Sequence, residues 1–131
     1  MVTISRNELR ELLETCSDLT LVEVLPAVSF LEYHLPGAIN VPLSDCFNER
    51  VLILVPERSQ TIVVYSLNFE CRQSELATQC LLELGYQSVF DYEPGKIDWR
   101  AAKLPIEYGP SILEYYSQPD TFESVNDNPR S

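Results

Sequence analysis

Apolar positions along this chain follow two rhythms, and each change of rhythm marks an element. Thr61–Tyr65, TIVVY, is a β-branched run closed by an aromatic, as expected of a strand buried by helices on both faces of its sheet. In Ser74–Leu84 the residues Leu76, Ala77, Cys80, Leu81 and Leu84 recur on one face of a helix, which Gly85 stops. Upstream, Ser5-Arg6-Asn7-Glu8 fits a capping box, followed by Leu9, Leu12, Leu13 and Cys16 on one face. That predicts a helix over 6–15, with Cys16 as a small core residue.

Leu19–Val24 reads as a buried strand ended by Pro26, and Ala27–Glu32 as a short helix. Pro36-Gly37 makes a turn, Ala38–Asn40 a brief strand before Pro42, and Ser44–Leu52 a third helix. Pro56–Gln60 is a polar turn into the central strand. Beyond Gly85, Gln87–Tyr92 alternates like a strand, Pro94-Gly95 turns, and Ile97–Ala102 is a helix carrying Trp99. Trp99, Tyr92 and Phe90 are most simply core beneath the sheet. Strands alternating with short helices on short connections predict a parallel α/β sheet. From Tyr108 the composition changes: Ile112–Tyr116 suits one docked helical turn, and Gln118–Ser131 reads as a disordered acidic tail.

Charge narrows the partners. A formal charge of −11 and a pI near 4.3 argue against nucleic acid and anionic membranes, and also disfavour a free dianionic substrate. The start, MVTISRNELRELL, reaches charged residues without the apolar run of a signal peptide, and Pro56 closes Val51–Val55 far short of a membrane span. A cytoplasmic location is therefore expected. Cys16, Cys46, Cys71 and Cys80 lack C-x-x-C spacing and have a single histidine to help them, so neither a metal site nor another cofactor is expected.

The candidate chemistry lies between the central strand and the next helix, where unpaired N–H groups and the positive helix end converge. The loop is Ser66, Leu67, Asn68, Phe69, Glu70, Cys71, Arg72 and Gln73. Ser66 stands directly after the strand, where an activated nucleophile belongs, and Cys71 lies just before the helix, whose dipole together with Arg72 would lower a thiol pKa. Arg72 is either an anion clamp or one half of a local ion pair beside Glu70, and Ser74 suits the helix N-cap.

Three segments together resemble the rhodanese homology domain family. LVEVLPAVSFLEYHLPGAINVPL is similar to that family's first segment, L-V/I-D-V-R followed by F-x-x-G-H-I-P-G-A-x-N-I/V-P. TIVVYS with LATQCLLELGYQSVFDYEPG resembles its central strand, active-site loop and following elements, and IDWRAAKLPIE its closing W-x-x-A-G-L-P. The resemblance implies a three-layer α/β/α rhodanese-like fold over 1–107, with a five-stranded parallel sheet flanked by helices, and the composition beyond it implies an acidic, partly disordered extension over 108–131. It also implies sulfur transfer from a catalytic Cys at the end of the central strand, and a structural role for His34.

Four departures matter. Ser66 occupies the nucleophile position, Leu25 replaces the Arg that would partner Glu23, and Tyr33 and Lys103 stand where Gly is usual. Ser66-(x)5-Arg72 has the spacing of rhodanese-like phosphatases, while Cys71 matches the second Cys of a C-x4-C-x2-S sub-pattern. A serine hydroxyl cannot hold sulfane sulfur as a persulfide. The sequence therefore favours a binding or regulatory module without thiosulfate sulfurtransferase activity, acting on a protein partner or a small sulfur or oxyanion ligand. The alternatives are a sulfurtransferase or persulfide carrier using Cys71, and a phosphatase-like anion-binding loop without a nucleophile.

Overall fold

The computed structural model describes residues 2–110, so the tail readings at Ile112–Tyr116 and Gln118–Ser131 lie outside the described residues. Five parallel strands form one sheet in the order β1-β5-β4-β2-β3: β1 (Val2–Ile4), β2 (Thr20–Glu23), β3 (Ile39–Asn40), β4 (Thr61–Tyr65) and β5 (Ser88–Tyr92). Between them run α1 (Arg6–Thr15), α2 (Ala27–Glu32), α3 (Phe47–Leu54), α4 (Gln73–Glu83) and, last, α5 (Gly95–Ala101).

The double-sided burial expected of β4 is met by alternation. Ile62 and Val64 enter a cluster with Phe47 and Val51 of α3 and Ala77 and Leu81 of α4. Val63 and Tyr65 enter the opposite cluster with Leu9 of α1, Phe30 of α2 and Trp99 of α5. Three layers result, with β4 at the centre and its C-terminal end inside the sheet edge where functional loops gather. Trp99 and Tyr92 meet edge to face at 6.4 Å, and the Trp99 Nε1 donates to Pro105 O at 2.7 Å.

Local signals set several bounds. The capping box closes as read, with Glu8 N donating to Ser5 Oγ at 3.2 Å and Ser5 N to Glu8 Oε1 at 2.8 Å. Elsewhere the tertiary fold overrides them. β1 has two of its three residues exposed and no periodic signal, and becomes a strand only by pairing with β5. α3 runs Phe47–Leu54 rather than Ser44–Leu52, because Phe47 and Val51 are the residues that reach the core. Cys16 is not core: it caps α1, half-exposed, with its thiol on Asp18 at 3.0 Å. Leu76, counted on the buried stripe of α4, is exposed, while Ser74 and Thr78 are buried in its stead.

Candidate functional site

Parallel pairing brings the ends of β2, β4 and β5 level, with Glu23 opposite Tyr65 and Tyr65 opposite Tyr92. The loop from Ser66 leaves this row and is held from both sides. Its first two carbonyls, Ser66 O and Leu67 O, each accept at 3.0 Å from the amides of Lys96 and Ile97 at the start of α5. The approach is so close that a β carbon at Gly95, whose φ is +77, would lie 2.5 Å from Leu67 C and O. Within the loop, Asn68 Oδ1 accepts from both Glu70 N and Cys71 N at 3.1 Å. This Asx turn swings the chain so that Cys71 returns toward the strand end.

There Cys71 meets Ser66. Ser66 is buried, and its Oγ donates to Cys71 O over a long 3.5 Å. Burial pushes the Cys71 thiol up, but hydrogen bonds from the Ser66 side chain and from the main chain at Gln73 and Leu67 together hold it below its ordinary value. The thiol itself lies 3.8 Å from Gln73 Oε1. Despite its offset from the strand, the thiol is thus shifted toward its charged form by the hydroxyl and main chain of its own loop.

The remaining loop residues are placed as follows. Arg72 turns outward onto α4, its Nε 2.6 Å from Glu75 Oε1, so its ion-pair partner is Glu75 rather than Glu70. Leu67 and Phe69 face solvent, Phe69 at 64% exposure on the loop tip. Ser74 is not the N-cap. The helix begins at Gln73 with Arg72 in the cap position, which sends the Ser74 side chain inward to Asp91. Asp91 is buried with Oδ1 unpartnered, and burial raises its carboxyl above the ordinary range, against the Ser74 hydrogen bond.

Glu23 was expected to stand alone, because Leu25 occupies the family's Arg position. It has a cation after all, supplied 73 residues away: Lys96 Nζ lies 3.1 Å from Glu23 Oε2 and donates also to Ser29 O at 2.8 Å and Tyr33 O at 2.9 Å. Both side chains are buried, and burial raises the Glu23 carboxyl against the pull of Lys96. The sequence carried one usable signal for this, since a buried acid demands a partner. His34 is buried and stacked on Phe30 at 3.7 Å, its Nδ1 2.9 Å from Phe30 O, while its main chain pairs with Glu107. It lies in the frame and not in the loop.

The profile of the Rhodanese-like domain family matches residues 5–102. The chain is 31% identical over 109 residues to the HTH-type transcriptional regulator Rv0324 of Mycobacterium tuberculosis, covering 83% of this chain and 46% of that protein. It is 35% identical over 71 residues to the thiosulfate sulfurtransferase PspE of Escherichia coli, covering 52% of this chain and 62% of that one. The crystal structure of a thiosulfate sulfurtransferase from Pseudomonas aeruginosa superposes with a TM-score of 0.72 at 28% identity, over 83% of this chain and 20% of that one. The chain spans about half the length of the curated relatives it matches. Among the described residues no helix is long and apolar enough to cross a membrane.

Proposed function

The chain belongs to the rhodanese-like domain family, and from that premise we propose that it handles sulfur through Cys71 in place of a nucleophile at Ser66. The observation that carries this reading is the Cys71 thiol, held below its ordinary pKa by the Ser66 hydroxyl and by the main-chain N–H groups of Leu67 and Gln73. A thiolate is the reactive form of cysteine, and amides aimed at it stabilise the charge it carries before attack and after.

The step is redox-neutral. Cys71 S⁻ attacks the outer sulfur of a persulfide R–S–SH, the donor's S–S bond breaks, RS⁻ leaves, and Cys71 holds the sulfur as Cys71–S–SH. An acceptor thiolate then attacks that outer sulfur and returns Cys71 as a thiolate. Once Cys71 is a thiolate, the Ser66 hydroxyl turns from its long 3.5 Å contact with Cys71 O to donate to the sulfur, a role for which oxygen is suited. The net charge of −11 favours a persulfide on a protein or small thiol over free dianionic thiosulfate as donor, and argues against nucleic acid or anionic membrane as partner. A reducing compartment, which would keep the four cysteines free, suits this chemistry.

One observation favours a second reading, a docking or regulatory module without turnover. Phe69 and Leu67 expose apolar surface at the loop tip, and one relative is named a transcriptional regulator. Mass spectrometry after brief treatment of the full chain with glutathione persulfide separates the two. We expect one added sulfur on Cys71 ahead of Cys46, although Cys46 is the more exposed thiol, and loss of that uptake in Cys71→Ala. Sulfur distributed by exposure alone, or uptake unchanged in Cys71→Ala, overturns the Cys71 reading in favour of the docking module.

A further inference from the structure

Lys103 follows α5 with φ +63, the left-handed conformation that a residue with a β carbon disfavours. It stands where the family pattern has glycine, and so does Tyr33. The fold brings these two departures together: Tyr33 and Lys103, with Ile97, Arg100 and Ala101, line one open cleft of about 570 Å³. Tyr33 is almost fully buried, and the Arg100 guanidinium lies 4.7 Å over its ring, which holds the cation in place at the cleft wall. Lys103 N donates to Arg100 O at 2.8 Å, fixing the two cations to one turn.

Among the described residues neither Arg100 nor Lys103 has a carboxylate in ion-pair contact. Glu23, held by Lys96, and Glu32 are the nearby acids, each close enough for its charge to act on the Tyr33 hydroxyl. In a protein of net charge −11, an open cleft carrying two cations without acidic partners is an exception to the surface around it. Its other walls are apolar, with Ile97 44% exposed. A few fixed charges on an apolar concavity are the usual make-up of a small-molecule site.

We propose that this cleft binds a monoanionic organic carboxylate, with its carboxylate on Arg100 and Lys103 and its apolar body against the exposed side chains of Ile97 and Ala101. A guanidinium fork matches a carboxylate in two parallel hydrogen bonds. The protein's overall charge selects a monoanion over a dianion. The site is separate from the sulfur chemistry proposed above, yet Ile97 N donates to Leu67 O at 3.0 Å, so the cleft shares a wall with the Cys71 loop.

The test is a titration of the ¹⁵N-labelled full chain with 3-phenylpropionate, followed by amide shifts. We expect saturable shifts at Tyr33, Ile97 and Arg100–Lys103, and affinity lower by about tenfold or more for the uncharged 3-phenylpropionamide and for the Arg100→Gln and Lys103→Gly variants. Lys103→Gly removes a cation while relaxing the backbone, so weakened binding by a fold that is no less stable cannot be ascribed to misfolding. Shifts that fail to saturate or that lie only on Ser66–Gln73, equal binding of the amide, or equal binding by both variants overturns the proposal. Cys71 alkylation at an unchanged rate in Arg100→Gln keeps this outcome distinct from that of the sulfur reading.

Discussion

Replacing Lys96 by methionine tests the buried pair under the loop. The substitution keeps most of the side-chain length, but it leaves the Glu23 carboxylate buried without its cation and frees the carbonyls of Ser29 and Tyr33. Breaking a buried pair from one side costs about 3–5 kcal/mol, against a total stability of about 5–15 for an ordinary domain. Much of that cost is titratable. Burial already raises Glu23 above its ordinary 4.5, and losing Lys96 raises it further. A carboxyl with a raised folded-state pKa favours the fold most below its unfolded value, and that stability is lost as pH rises toward the folded value. At pH 7, keeping such a group protonated costs up to about 3.5 kcal/mol, a share that fades as pH falls to the ordinary carboxylate range. Urea unfolding followed by the fluorescence of Trp99, the single tryptophan and a buried one, reads this directly. We expect Lys96→Met to lose about 3–5 kcal/mol at pH 7 and clearly less near pH 4.5, and Glu23→Leu with Lys96→Met to recover most of the loss. A deficit under about 1 kcal/mol, one equal at both pH values, or a double variant no better than the single would refute the reasoning.

Three further outcomes follow from the same geometry. Lys103→Gly should gain about 0.5–1 kcal/mol, the left-handed penalty less the added freedom of glycine in the unfolded chain, seen as a higher melting temperature in calorimetry. Gly95→Ala should cost about 2 kcal/mol or more, since its β carbon would strike the Leu67 carbonyl, and should disorder the loop amides in an NMR spectrum. Iodoacetamide labelling of Cys71 should rise with pH to a plateau whose midpoint lies below that of an ordinary thiol. Ser66→Ala should move that midpoint upward, since it deletes a hydrogen bond to the thiolate, and an unmoved midpoint would remove Ser66 from the site.

Short-range pattern sufficed for much of the frame. Ser5 and Glu8 announced the start of α1, TIVVY announced a strand buried on two faces, and Ala27–Glu32 appears as read. These signals lie within one helical turn or one strand, where periodicity and capping act. Val2–Ile4 had no such signal, because its strand character comes from pairing with residues about ninety positions away. Ser74 carried a misleading one: its residue type suits a cap, but the start of the helix at Gln73 and the buried Asp91 decided its direction.

The site divides along the same line. Sequence alone determined that a serine stands at the end of the central strand and that a thiol follows five residues later beside a helix start, because both are matters of residue identity and local spacing. Only the tertiary structure decided that an Asx turn folds the loop back so that Cys71 returns to Ser66, that Lys96 neutralises Glu23, and that Tyr33 and Lys103 share a cleft. The physical reason is reach. Capping and periodicity act over a few residues, whereas desolvation and charge pairing act between whatever side chains packing brings within a few ångströms, however far apart they lie along the chain.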